Sequence, residues 1–136
     1  MSLKVSADEL VRNYIRAMET DNIQTVGRLS NDGAGLEYPG GVTFDSLESL
    51  LKWSKTRHKG IRHTISEVRV VEIKETQAVV YVDGTLHGTW NDGSKFEGIG
   101  FIYRFRVIKD RIEHTRLWSD VADRVLNIQK EALAVN

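Results

Sequence analysis

The feature that most constrains this chain is a change of period. Up to about residue 56 the apolar side chains recur at three- and four-residue spacing. From His63 to Trp118 they alternate every second residue and do not return to the helical repeat. Helices come first and strands follow consecutively, so a parallel sheet built from alternating strands and helices is disfavoured. A meander of antiparallel strands with the helices gathered on one face satisfies this order.

The strand half divides cleanly. His63 to Ile73 shows β-branched alternation, and Ala78 to Trp90 reads as one long strand. Asn91-Asp92-Gly93 is a strong hairpin signal, because Asn and Gly tolerate positive φ. Lys95 to Ile108 is the partner strand, with Ile99, Phe101, Tyr103, Phe105 and Val107 on one face. Phe96 and Ile102 then lie beside Arg104 and Arg106 on the other. Lys109-Asp110 makes the next turn, and Arg111 to Trp118 is the last strand. Gly84, Gly88, Gly98 and Gly100 fall inside strands, where they suit bends or bulges of a long sheet.

The first half predicts three helices. Residues 6–20 carry the stripe Leu10, Val11, Tyr14, Ile15 and Met18, with Ser6 and Glu9 at capping-box spacing. Asp21-Asn22 interrupts it, and Ile23, Val26 and Leu29 mark a shorter second helix. Leu36-Glu37-Tyr38 is a strand ended by the turn Pro39-Gly40-Gly41. Phe44 to about Thr56 is the third helix, carrying Leu47, Leu50, Leu51 and Trp53. Asp120 can cap a closing helix to about Leu133. The expected architecture is a cone-shaped α+β domain, a curved antiparallel sheet under three N-terminal helices. Its wide end leaves a cavity.

The 136 residues fit one domain, 1–136, with enough chain for a sizeable core. Nineteen basic side chains balance nineteen acidic ones, which gives no electrostatic footprint for nucleic acid. There is no cysteine for a disulfide or a thiolate. The polar opening residues do not read as a signal peptide. No apolar run approaches the roughly 20 residues of a membrane helix. A cytoplasmic protein without membrane contact is expected. The four histidines lack metal-site spacing, and no glycine-rich loop follows a strand, so neither a metal nor a cofactor is expected.

The segments Val11–Met18, Thr20–Ile23, Leu29–Asp32 and Leu36–Gly40 resemble the opening of ketosteroid isomerases and SnoaL-like polyketide cyclases. These belong to the nuclear transport factor 2-like superfamily. The hairpin, Tyr103–Val107 and the ending Leu117-Trp118-Ser119-Asp120 are similar to its close, so the resemblance covers residues 6 to about 126. It implies a pocket for a small apolar, steroid- or polyketide-like molecule. In the isomerases a tyrosine of the first helix binds a developing oxyanion, and Tyr14 stands in that place. The base is an aspartate before a proline, where this chain has Tyr38 before Pro39. The second donor is an aspartate whose place falls on or near Phe101. A phenol is a poor base at neutral pH, so isomerisation by that set of groups is disfavoured.

Other groups offer chemistry. His63 begins a strand near where SnoaL-like members carry a histidine, and an imidazole there can act as acid or base; at the rim it would be inert. His114, Arg116 and Trp118 share one face of the last strand. With Ile112 inward and no irregularity, all three enter the cavity, and Arg116 needs an acid, for which Glu97 is the candidate. A bulge would instead throw Arg116 to solvent. Trp53 is either a cavity lid or plain core. Asp83 and His87 lie opposite Val80, Val82 and Leu86, so they fall outside unless the register slips.

These readings converge on a cofactor-independent acid–base isomerase, cyclase or dehydratase. In it Tyr14, His63 and His114 do the chemistry, and Tyr38, Trp53, Glu97, Phe101, Arg116 and Trp118 contact the ligand. A non-catalytic binder on the same fold, or an interaction module, is the alternative. The outer sheet face makes a homodimer the expected assembly.

Overall fold

The computed structural model describes residues 3–31 and 35–120; the closing helix expected after Asp120 lies outside the described residues. Three helices precede the long strands: α1 (Leu3–Glu19), α2 (Ile23–Leu29) and α3 (Leu47–Lys55). Two short strands, β1 (Leu36–Tyr38) and β2 (Val42–Phe44), separate α2 from α3. β3 (His58–Lys74), β4 (Gln77–Trp90), β5 (Lys95–Ile108) and β6 (Arg111–Ser119) follow.

The strands form one sheet in the order β2-β1-β6-β5-β4-β3. β3 to β6 are the expected antiparallel meander. The sheet is not wholly antiparallel, however, because β1 pairs with β6 in parallel, Leu36 opposite Thr115. β1 enters from the helical layer rather than through a hairpin, so nothing reverses its direction. β2, unread in the sequence, folds back on β1 through the Pro39–Gly41 turn, where Gly40 and Gly41 take φ of 84° and 76°. Lys109 and Asp110 both have positive φ, as a two-residue hairpin turn of primed type requires.

α1 starts at Leu3, upstream of Ser6, so the Ser6–Glu9 spacing lies within the helix and does not cap it. Its stripe Ala7, Leu10, Val11, Tyr14 and Ile15 is buried against the sheet. The sheet answers with Val80, Val82 and Leu86 of β4 and Ile99, Phe101, Phe105 and Val107 of β5. Each large apolar side chain so buried contributes about 1.5–3 kcal/mol before entropy is counted. β4 keeps the expected register, with Asp83 and His87 on the opposite face.

Three irregularities decide which side chains face inward. In β5, Leu86 pairs with Ile99 but Gly88 pairs with Phe96, so β5 carries an extra residue there. Gly98, at φ 69°, absorbs the bend, and Phe96 turns into the core instead of lying on the outer face. In β6, Arg106 opposes His114 and Val107 opposes Ile112, so Glu113 is the extra residue. Beyond it Thr115 and Leu117 share the inner face with Ile112, while His114, Arg116 and Trp118 turn outward. In β3 the pairing skips Ser66, opposite Gly84 of β4.

Gly84, opposite that last bulge, and Gly27 of α2 should respond oppositely to an added methyl group. A Cβ on Gly84 would stand 1.9 Å from the Thr64 carbonyl oxygen, whereas a Cβ on Gly27 in α2 meets nothing within 4 Å. Gly84→Ala should lower stability by about 1–3 kcal/mol or more. Gly27→Ala should raise it by about 0.5–1 kcal/mol. Urea unfolding of both variants checks the pair, and equal stability of Gly84→Ala and the parent would contradict the pinch.

Candidate functional site

Between α3, the β1–β2 turn and the concave face of the sheet lies a cavity of about 270 Å³. Trp53, Leu50, Pro39, Ile61, Trp90 and Leu117 supply apolar wall. Tyr38, His63, Tyr103, Glu19 and Ser119 bring polar atoms to it.

His63 sits on β3, the edge strand of the sheet, with its ring turned inward and 4% exposed. Its Nδ1 lies 2.9 Å from Oε2 of Glu19, the last residue of α1. The same oxygen accepts from the His63 backbone N–H. On the far side of the ring, Nε2 lies 3.1 Å from the Tyr103 hydroxyl. Tyr38 stands near enough to Tyr103 for the two phenols to perturb one another. The direction of the row follows from its ends. A carboxylate accepts only, so Nδ1 carries the proton, and Nε2 is the acceptor for Tyr103. Phe101 packs edge-on against the imidazole at 5.1 Å, behind it rather than among the lining residues.

Burial holds the His63 pKa below its ordinary value; the bond to and charge of Glu19 oppose this, and the charge of His87 adds to it. His63 is therefore a neutral imidazole at neutral pH. Burial raises Tyr38 and Tyr103 well above the usual phenol range. Both remain protonated donors.

The other expected residues distribute differently. Tyr14 is 2% exposed and meets Phe105 edge-on at 5.6 Å, in the core rather than on the cavity wall. Burial pushes it up to about 12, with contact from Thr115 offsetting part of the shift. That contact is too loose to count as a hydrogen bond, and Thr115 Oγ1 is left without a partner. Trp53 lines the cavity and meets Tyr38 at 6.0 Å.

His114, Arg116 and Trp118 do not enter the cavity, because the bulge at Glu113 reverses their face. His114 Nε2 bonds Glu37 Oε1 at 2.9 Å, and Arg116 lies 3.5 Å from the same carboxylate. Those contacts, the His114 bond foremost, hold the Glu37 carboxyl below its usual value. The acid beside Arg116 is thus Glu37 and not Glu97, which is exposed at the β5 bulge. Arg116 and Arg104 lie over the Trp118 ring at 4.5 and 5.5 Å.

Sequence reasoning missed Glu19 and Tyr103 as polar partners. Glu19 did leave a signal. A carboxylate in the last turn of a helix opposes the helix dipole, so it needs a partner from elsewhere. Tyr103 was legible as an inward residue of β5, but its hydroxyl's target was not. Among the described residues no group of three or more His, Asp or Glu could hold a metal ion. None of the described helices is long and apolar enough to cross a membrane.

A family model for the nuclear transport factor 2 (NTF2) domain matches residues 6–107. No curated protein matches the chain. Solved structures do. An NTF2-like protein of unknown function from Burkholderia pseudomallei is similar with a TM-score of 0.71 at 17% identity, covering 88% of this chain and 95% of that one. A protein from Novosphingobium aromaticivorans assigned as a scytalone dehydratase gives 0.71 at 14% identity, over 85% and 83% of the two chains. A hexachlorocyclohexane dehydrochlorinase (LinA) gives 0.73 at 11% identity, over 86% and 84%. At such identities the likeness shows the shared fold alone.

The imidazole environment yields a pH prediction. Between the depressed midpoint of His63 and the ordinary 6.5, the unfolded chain holds a proton that the folded chain lacks. His63 therefore stabilises the fold above that window, and acidification through it removes the contribution. His58, lowered by burial and then by Arg57, acts in the same direction. Glu19→Gln removes the charge that lifts His63, so its NMR titration midpoint should move further down. An unchanged or raised midpoint would contradict the pairing.

Proposed function

The chain belongs to the nuclear transport factor 2 domain family, and from that premise we propose that it is a cofactor-independent enzyme that takes a proton from carbon in a small, largely apolar carbonyl compound. The observation that carries this reading is the hydrogen-bonded row Glu19–His63–Tyr103 at the cavity, with Tyr38 beside it on the same wall. His63 is the base, and Glu19 fixes its tautomer and stabilises the imidazolium that forms. Tyr103 and Tyr38, too high in pKa to ionise, donate to the substrate oxygen as it gains charge.

The step balances simply. The Nε2 lone pair takes the proton α to the carbonyl, and the C–H electrons form the carbon–carbon double bond of an enolate. Its charge rests on the oxygen facing the two phenols. Rotation of the Tyr103 O–H about its C–O bond turns its proton from Nε2 toward the substrate oxygen, and the C–H reaches Nε2 as the phenol oxygen shifts aside. From the enolate, return of the proton elsewhere gives isomerisation, and loss of a β-substituent with its electron pair gives elimination. Attack on a second carbonyl closes a ring. Of the relatives, the one named as a scytalone dehydratase fits the elimination branch, and the hexachlorocyclohexane dehydrochlorinase shares only the loss of a proton from carbon, its substrate having no carbonyl. His114, Arg116, Glu97 and Trp118 have no part in it, because they lie off the cavity.

Pairing of two copies through the outer sheet face belongs to the same proposal. Ile102 and Trp118, neighbours in register, are 46% and 39% exposed, bordered by Arg104, Arg116 and Asp83. An apolar centre with charges of both signs at its edge can complement itself about a two-fold axis. Sedimentation should give the mass of two chains, and of one for Trp118→Glu. A single-chain mass for the unaltered protein removes the dimer.

The catalytic proposal is tested by exchange. Cyclic and aryl ketones incubated with the protein in D₂O should gain deuterium α to the carbonyl, read by mass spectrometry. His63→Gln should slow this by about 10²–10⁴-fold. Phe101→Leu, behind the ring, should retain most of it. Ketones that bind without exchanging above background would leave a non-catalytic binder as the better reading.

A further inference from the structure

The mouth of the cavity differs chemically from its floor. Lys55 at the end of α3, Arg57 on the two-residue connection and Lys59 at the start of β3 all border it. All three are exposed, and among the described residues none is in an ion pair. The acids nearby are few. Glu19 is committed to His63, Asp21 lies on the rim, and Asp92 feels Lys59 across the hairpin. His58 adds no lasting charge, since burial and Arg57 keep it neutral and its Nε2 lies 3.1 Å from the Ser54 hydroxyl.

Arg57 is also placed. Its guanidinium lies 4.7 Å over the Trp53 ring. Trp53 meets Tyr38, Tyr38 meets Tyr103, and Tyr103 meets His63. Exposure falls along this line, from Arg57 in solvent, through half-buried Trp53 and Tyr38, to Tyr103 and His63. One aromatic wall therefore joins a cationic end to a basic, dry end. A guanidinium offers paired donors that match a carboxylate, and stacking on Trp53 restricts the rotations that such a bond would otherwise have to freeze.

We propose that the ligand of this cavity is a planar ring system bearing a carboxylate, whose anion rests on Arg57 and Lys55 while its other end lies at His63. This deepens the catalytic reading by naming the substrate class. The anion fixes which end of an otherwise slippery apolar molecule meets the base.

The test uses 2-naphthoate and its neutral isostere 2-naphthamide, titrated calorimetrically into the full chain. The carboxylate should bind about tenfold more tightly than the amide at low ionic strength, and the ratio should shrink in 0.5 M NaCl. The double variant Lys55→Gln/Arg57→Gln should bring the ratio to about one while leaving the amide's affinity in place. Equal binding of the two probes, no binding of either at millimolar concentration, or a ratio untouched in the double variant would overturn the proposal. His63→Gln should keep the preference. If ketone exchange fails in the parent while the preference holds, the catalytic reading falls and the anion site stands. If exchange is found without the preference, the reverse is true.

Discussion

One carboxylate oxygen holds the working parts of this molecule together. Oε2 of Glu19 accepts from both the backbone N–H and the imidazole of His63. The first bond fastens the end of α1 to the free edge of β3, where unpaired amides would otherwise be open to another strand. The second sets the tautomer of the histidine. A buried carboxylate is costly unless its lone pairs are met, and here the two donors come from one residue. The helix's position and the base's protonation are thus coupled. α1 cannot slide along the sheet without releasing His63, and His63 cannot turn its ring without exposing Glu19. This coupling explains why an acid is tolerated in the last turn of a helix, where the dipole is against it.

The layered architecture could be read from period alone, since a 3.6-residue stripe and a 2-residue alternation dictate which faces are apolar. The alternation of β5 placed Tyr103 and Phe105 correctly from Ile99 onward. What failed was every inference that crossed a bulge. Phe96 lies before the extra residue at Glu97–Gly98, and His114, Arg116 and Trp118 lie after the one at Glu113. An added residue shifts the side-chain phase by one, and all subsequent side chains change face together. Gly98 gave some warning of the first bulge; Glu113 gave none. The parallel seam between β1 and β6 then supplied the outward histidine and arginine with Glu37, a partner no local pattern points to.

The buried tyrosines show how resemblance and placement part company. Burial raises Tyr14, Tyr38 and Tyr103 alike, and Tyr14 adds to the rise of the other two. None can ionise at ordinary pH, so phenol in this interior means hydrogen-bond donor. Tyr14 stands where the resemblance to ketosteroid isomerases implies an oxyanion donor, yet it packs on Phe105 beside Thr115 and does not reach the cavity wall. In the reaction we propose, donation falls to Tyr103 and Tyr38 instead, and the base stands on the edge strand rather than before Pro39. A carboxylate base needs only a dry pocket to be strengthened. An imidazole base in the same dryness is kept neutral and needs a carboxylate behind it to bear the proton it receives. Glu19 meets that need, and no rule of spacing links residue 19 to residue 63.

Net neutrality conceals local asymmetry. Balanced totals argue against long polyanionic partners, which respond to charge summed over a broad surface. They say nothing about a single small anion, which responds to the few charges at one opening. Apolar walls carry no counter-dipoles and exclude water, so field from Lys55 and Arg57 is less screened inside the mouth than over an open surface. Lys55 ends the helix that carries Trp53 and Arg57 follows it by two residues, so the charges stand beside the aromatic wall. An apolar chamber with a cationic lip and a neutral base at its floor favours a molecule that is greasy in the middle and anionic at one end. It also favours one orientation of that molecule, because reversal would bring the anion against Glu19 and bury it without a partner.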